Sequence, residues 1–272
     1  MLFAHISDLH FRSEGRKLYD FIDTNTANAD VMNRINSLDE KPDAVIITGD
    51  IVNCGLPSEY NVAKRILGFL NYPIYVIPGN HDDKVHFLDH MGPLCPQLGN
   101  DPENIAYKVN TDHAQLLFID SSQSGESAGW ISESILAWLK NQLKHNTKPS
   151  YLFMHHPPIA FGNRQMDRIA CKNGHELLAL IDEFPHFLRI FCGHVHRTIF
   201  TQYKQAIIAS APGTVHQVPY HFTDPTDVYS IEPPAMLMHR LVDNVGLVTY
   251  SQPLSQISGP YRYFSSIGCP GD

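Results

Sequence analysis

The chain has 272 residues, 43% of them hydrophobic and 18% charged, with a net charge of −8 when His is neutral. That supplies a core for one large domain, or a domain with a small appendage, and excludes a disordered chain. The acidic balance argues against a nucleic-acid backbone as main partner, and no apolar run reaches the roughly 18–20 residues of a membrane helix.

Leu2–Ile6 is a short apolar run of buried-strand character, and Asp8-Leu9-His10 follows it. Apolar residues at helical spacing predict a helix over Asn28–Leu38. Ala44–Thr48 is the clearest strand, β-branched and bounded by Pro42-Asp43 and Gly49-Asp50. Pro57-Ser58 opens a helix over Glu59–Leu70. Ile74–Ile77, framed by Pro73 and Pro78, leads into Gly79-Asn80-His81-Asp82. Leu116–Ile119 predicts a strand, Glu133–Leu143 a helix capped by Ser132, and Tyr151–Met154 a strand ending at His155-His156. A helix over His175–Phe184 stops before Pro185, and the strand Arg189–Cys192 runs into Gly193-His194-Val195-His196. Strands alternating with helices imply a layered α/β domain, and continuous apolar strands imply sheets covered on both faces.

The character changes after residue 198. Ile199–Tyr203 and Gln205–Ala209 read as a hairpin, and Leu237–Val242 and Leu247–Ser251 as further strands. Residues 212–234 are rich in Pro, Thr, Asp and Tyr without periodicity. The expected division is therefore a site-bearing domain at 1–198 and a β-rich extension at 199–272, suited to cap a pocket or join subunits. The five cysteines, Cys54, Cys95, Cys171, Cys192 and Cys269, are odd in number, widely spaced and without a CxxC pair. This disfavours both a disulfide framework and a thiolate zinc site. Cys269, near the end of the chain, is a candidate for a cross-link to another subunit. The first residues carry no basic stretch, long apolar segment or small-residue cleavage site, so a soluble cytoplasmic protein is expected.

Each motif ends where a predicted strand ends, and ligands at the carboxyl ends of strands converge on one crevice. Asp8, Asp50 and Asn80 supply hard oxygen donors, and His10, His155, His194 and His196 supply imidazoles. If the segment after the first strand stays extended, Asp8 and His10 point the same way. Asp50 has two carboxylate oxygens and can bridge two cations. The mixed N/O set favours two divalent transition-metal ions, Fe, Mn, Co or Zn, over Ca²⁺ or Mg²⁺. Taken singly, each motif is an ordinary turn. The ordered set is what carries the reading. Neighbours at a strand end point to opposite sides, so one of His155 and His156 ligates and the other stands aside as a candidate for the substrate pocket. His216 follows the hairpin tethered to His194 and His196 and is a candidate for the pocket wall. His5 is expected to be buried and hydrogen-bonded. His86, His90, His113, His145 and His239 are read as surface or core residues.

These motifs resemble those of the calcineurin-like metallophosphoesterases, within them the bacterial class III cyclic-nucleotide phosphodiesterases, and nearest the glycerophosphodiesterases of enterobacterial type. Ile51-Val52-Asn53-Cys54-Gly55, Phe153-Met154-His155-His156-Pro157-Pro158 and Pro212-Gly213-Thr214-Val215-His216-Gln217-Val218-Pro219 extend the similarity over nearly the whole chain. The resemblance implies a four-layer sandwich of two mixed β-sheets flanked by helices, with a β-rich C-terminal extension used for homo-oligomer contacts. It implies one metal on Asp8, His10, Asp50 and His196, and a second on Asp50, Asn80, His155 and His194. It places His81 beside the reacting phosphate, with Asn80 contributing to catalysis. The expected activity is hydrolysis of a small phosphodiester by a metal-held hydroxide, with glycerophosphodiesters as substrate and 3′,5′-cyclic nucleotides as the alternative. A phosphomonoesterase, a non-catalytic scaffold and a nuclease are the remaining alternatives. All seven ligand positions are filled, which counts against the scaffold.

Overall fold

The computed structural model describes residues 1–219 and 228–255. The first sheet is built on three parallel strands, β1 (Leu2–Ile6), β2 (Ala44–Thr48) and β3 (Ile74–Ile77). Between them lie α1 (Thr24–Asn36) and α2 (Pro57–Leu67), and β3 is followed by α3 (Lys84–Met91). The second sheet begins with β4 (Ala106–Asn110), antiparallel to β5 (Gln115–Ile119). It continues in parallel through β6 (Ser150–Phe153) and β7 (Phe187–Cys192), with α4 (Glu133–Lys144), the single turn α5 (Arg164–Asp167) and α6 (Gly174–Ile181) between strands. The chain then makes β8 (Ile199–Tyr203), β9 (Ala206–Ser210), β10 (Ala235–Val242) and β11 (Gly246–Pro253). The sheet orders are β11-β10-β1-β2-β3 and β4-β5-β6-β7-β9-β8, both mixed. This is the expected sandwich of two mixed sheets with flanking helices.

The inner faces meet through Phe118, Phe153 and Phe191, whose rings stack at 5.0 and 5.1 Å. Alternate residues of the second sheet, Leu117, Leu152 and Ile190 among them, pack outward on Leu139 of α4 and Leu177 of α6. On the other side, Met32 and Ile35 of α1 and Ala63 and Leu67 of α2 join one core with the first sheet. Both faces of each central strand are therefore buried, which is why those strands read as continuous apolar runs.

The segment after residue 198 folds differently from the expectation of an appendage. Its described strands extend the two sheets: β9 pairs in parallel with β7 and β8 forms the edge beyond it, while β10 pairs antiparallel with β1 and β11 forms the edge beyond it. Met236, Leu237 and Met238 are buried in this way. Strand signals alone do not say which sheet a strand joins, and that is why these strands read as a separate unit. Cys269 lies outside the described residues, as do parts of the 212–234 stretch. Among the described residues no helix is long and apolar enough to cross a membrane.

Candidate metal centre

The parallel strands β1, β2 and β3, and β6 and β7, all deliver their carboxyl ends to one edge of the sandwich. The loops there are knitted together by backbone bonds. Asp8 N–H donates to Gly49 O at 3.1 Å, His10 N–H to Asp50 O at 3.0 Å, and Gly193 N–H to His155 O at 3.1 Å. The backbone at the site is strained. Asp8 (φ 56°), His10 (50°), Asp50 (50°), His194 (69°) and His196 (49°) are all left-handed. For non-glycine residues this costs about 1–2 kcal/mol each, and such strain concentrates at functional sites. The extended conformation expected for Asp8–His10 is thus not adopted. The chain turns at both residues because it is pulled onto the Gly49-Asp50 loop.

Asp8, His10, Asp50 and His196 converge, with donor atoms all within 4.8 Å of one another. His10 Nε2 faces His196 Nε2 at 3.2 Å, His196 Nε2 lies 3.4 Å from Asp8 Oδ1, and His10 Nε2 lies 3.7 Å from Asp50 Oδ2. On the other side of Asp50, its Oδ2 is 3.4 Å from His155 Nε2, which also meets Asn80 Oδ1 at 3.2 Å. The His194 ring centroid lies 5.1 Å from that of His155. All seven expected donors are therefore brought together, with Asp50 between the two groups.

The ring orientations are fixed from behind. His155 Nδ1–H donates to Thr48 O at 2.7 Å and His196 Nδ1–H to His216 O at 3.0 Å, which leaves each Nε2 as a lone-pair donor. The Nε2 atoms of His10 and His196 cannot both carry protons at 3.2 Å. A cation taking a lone pair from each resolves the contact. His194 Nε2 is buried without a partner, a further sign of a group that binds there. The donor set fits borderline transition metals.

Burial pushes Asp50 up, but the neighbouring His155 and His81 outweigh it and hold its carboxyl well below the usual range. Burial pushes His155 down, but Asp50, Asp8 and the Thr48 carbonyl lift it to about 9, so a cation binding at Nε2 has to displace a proton there. Burial keeps His10 and His194 well below the ordinary imidazole value, hence neutral.

His81 lines the cavity over the cluster, a space of about 360 Å³. Its Nδ1–H donates to Asn53 O at 2.7 Å, its backbone N–H donates to Asp50 Oδ1 at 2.9 Å, and its ring stands edge-on to His10 at 4.8 Å. His216 stands in the cavity wall, 4.3 Å from the His196 ring. His156 does not line the cavity. Its ring is fully buried, 4.5 Å from His194, and its Nδ1 meets Ser121 Oγ at 2.9 Å. Its donor nitrogen lies with those of His155 and His194, all within 4.8 Å of one another, so the side chain stands beside the candidate ligands rather than in the cavity wall.

Asp82 belongs to the Gly79–Asp82 motif but carried no assigned role. Its carboxylate accepts from Ile51 N–H (3.1 Å), Val52 N–H (3.3 Å), Gly79 N–H (2.9 Å) and Tyr60 O–H (2.9 Å), and so clamps the β2 and β3 loops together. Sequence reasoning also missed Tyr19, Met166 and Tyr229 of the cavity wall. None lies in a periodic stretch or a motif, so no local signal marks them.

The calcineurin-like phosphoesterase family matches residues 1–198. The chain is 54% identical over 273 residues to the glycerophosphodiester phosphodiesterase GpdQ of Enterobacter lignolyticus, covering 100% of this chain and 98% of that one. It is 26% identical over 217 residues to the 3′,5′-cyclic-nucleotide phosphodiesterase alr5338 of Nostoc sp., covering 79% of this chain and 78% of that protein. Among solved structures, a dimetal phosphatase from Danio rerio superposes with a TM-score of 0.62 at 15% identity, over 94% of this chain and 99% of that one, which shows the shared fold. Matched over most of its length, with a relative of more than half identical sequence, this chain belongs to the calcineurin-like phosphoesterase family.

Proposed function

We propose that this protein hydrolyses small glycerophosphodiesters at a centre of two divalent transition-metal ions. Asp8, His10, Asp50 and His196 hold one ion, and Asp50, Asn80, His155 and His194 hold the other. The observation that carries the reading is the position of Asp50 Oδ2, 3.4 Å from His155 Nε2 on one side and 3.7 Å from His10 Nε2 on the other. The substrate class is supported by the glycerophosphodiester phosphodiesterase that matches from end to end. When bound, the paired cations supply Lewis acidity, lowering the pKa of water and neutralising charge on the phosphoryl oxygens.

The chain's own residues do the rest. Thr48 O and His216 O orient two imidazoles through their Nδ1–H groups. His81 has Nδ1–H committed to Asn53 O; burial opposes a second proton, but Asp50 and the Asn53 carbonyl raise the ring's pKa, and in that imidazolium form Nε2–H can donate to the phosphoryl oxygen or the departing alkoxide. The cavity's volume lies near the low end for small-molecule sites, which suits a compact diester. We further infer self-association through the β10–β11 end, where Val245 and Tyr250 are exposed apolar side chains. Light scattering tests that.

The test is a substrate panel on metal-free protein reloaded with Fe, Mn, Co or Zn in turn. Glycerophosphoethanolamine is expected to be hydrolysed with a higher kcat/KM than 3′,5′-cyclic AMP or p-nitrophenyl phosphate. Preference for the monoester would overturn the reading, and preference for the cyclic nucleotide would move it to the alternative substrate class.

A further inference from the structure

The cavity above the metal ligands is partly roofed by two tyrosines from distant parts of the chain. Tyr19 comes from the loop between β1 and α1, and Tyr229 from the segment just before β10. Their rings stack face to face, with centroids 4.2 Å apart and planes 14° from parallel. His216 stands edge-on to both, at 5.8 and 5.9 Å. All three line the cavity. Tyr19 is 51% exposed and Tyr229 37%, so neither ring is part of the core.

The backbone beneath Tyr19 is unfavourable for that residue. Tyr19 (φ 49°) and Asp20 (φ 66°) are consecutive left-handed residues. They form the tip of a turn closed by two 2.9 Å bonds, Leu18 N–H to Ile22 O and Ile22 N–H to Leu18 O. Turns of this kind take Gly, Asn or Asp at low cost, so Asp20 fits and a tyrosine does not. The strain of a bulky left-handed residue is similar in size to what a stacked aromatic pair returns. The closed pair is therefore poised to part. A strained side chain kept at a cavity mouth points to a task for the ring there.

The remaining wall decides which task. Met166, Ile169, Val218 and Val228 are apolar, and Gln165 offers one amide. Among the described lining residues Asp50 is the one carboxylate, it is taken up in the ligand cluster, and no Lys or Arg stands with it. A planar base entering between the two tyrosines would have to part faces that already cover each other.

We propose that Tyr19 and Tyr229 form a gate that selects diesters of slim, flexible alcohols over those carrying a planar nucleoside. The proposal rests on the phosphodiesterase reading above. A glycerol- or ethanolamine-sized arm passes beneath the closed pair. A cyclic nucleotide has to separate the rings before its base can enter.

The experiment compares kcat/KM for glycerophosphoethanolamine and 3′,5′-cyclic AMP in the metal-loaded protein and in its Tyr19→Ala, Tyr229→Ala and doubly substituted forms. In either single variant the preference for glycerophosphoethanolamine should fall about three- to tenfold, through a gain on the cyclic nucleotide. The double variant should go little further, because the rings act as a unit. Tyr19→Phe should keep the original ratio, and Tyr19→Gly, which removes the turn strain, should shift it as Tyr19→Ala does. An unchanged ratio, an equal loss on both substrates, or a Tyr19→Phe variant behaving like Tyr19→Ala would overturn the gate. If one Tyr19 variant fails to fold, Tyr229→Ala reads the same ratio. Unsubstituted protein that hydrolyses neither diester refutes the phosphodiesterase reading and the gate with it. Active protein with an unmoved ratio refutes the gate alone.

Discussion

The carbonyl of Thr48 receives the Nδ1–H of His155 at 2.7 Å, across a separation of more than a hundred residues. The hydroxyl of the same threonine meets Nε2 of His5 at 2.9 Å, and His5 Nδ1 meets His239 Nε2 at 3.1 Å. His239 Nδ1 in turn meets Thr249 Oγ1 at 3.0 Å. One hydrogen-bonded line therefore crosses β11, β10, β1 and β2 and ends on a proposed metal ligand. Thr48 also precedes Gly49-Asp50 directly, so holding its backbone fixes donors of both groups. The core is built to aim the site, and the predictions below separate aiming from chemistry.

Asp50 is the donor shared by the two groups. Asp50→Ala should lower the bound metal below two ions per chain and reduce kcat by roughly 10³-fold or more, since metal charge stabilisation is worth several kcal/mol. Asn80→Ala removes a neutral donor from one group and should cost less. Metal analysis and kcat measured on both variants check this. Equal losses in the two would argue against a shared carboxylate.

His81 is proposed to donate a proton or hydrogen bond rather than to ligate a metal. His81→Ala should retain two ions per chain while kcat falls by about 10²–10⁴-fold, the usual worth of a general acid or base. Parallel metal analysis and turnover on the same preparation decide it. Loss of metal in step with activity would instead make His81 part of the ligand set.

Gly79 is needed for space. A Cβ there would overlap the Asp50 carboxylate and stand 2.8 Å from Cε1 of His155. No tolerable shift of either group preserves both contacts, so Gly79→Ala should weaken metal binding by about 10–100-fold, the scale seen when ligand orientation is disturbed. Isothermal titration with Mn²⁺ or Zn²⁺ measures it. The fold itself should survive, as followed by circular dichroism.

Much of this was legible along the chain, for physical reasons. Ala44–Thr48 and Ile74–Ile77 are read to the residue because β-branched apolar runs end at Pro or Gly. β4 escaped because an edge strand exposes Lys108 and Asn110 and lacks a continuous apolar run. Helix α1 begins at Thr24, ahead of its apolar periodicity, because Asp23 caps it by accepting from Thr26 N–H at 3.0 Å. The candidate ligands stand out along the chain because each sits in a local motif. His156 was misplaced because strand parity gives the opposite side without saying what lies there. The Tyr19–Tyr229 stack was invisible because the pairing is tertiary and its turn uses a residue that turn chemistry disfavours.

The line from Thr249 to Thr48 has a pH signature. Burial lowers His5 to about 3 and holds His239 well below the ordinary imidazole value, so both are neutral in the folded state. In the unfolded chain each protonates below about 6.5. Stability is therefore complete above that pH and is lost as pH falls through the window toward 3, because the unfolded state takes up protons that the folded core refuses. Each such histidine contributes a slope of about 1.4 kcal/mol per pH unit in that window. Other buried imidazoles add to the total, so the test is a difference. Urea unfolding of metal-free protein at pH 6 and pH 5 should show a stability loss smaller by about 1.2 kcal/mol in His239→Leu than in the unsubstituted chain. The variant will be less stable at both pH values, since His5 and Thr249 lose a partner. An unaltered pH 6 to pH 5 loss would mean that His239 takes up its proton within the folded core, contrary to the neutral chain of hydrogen bonds described above.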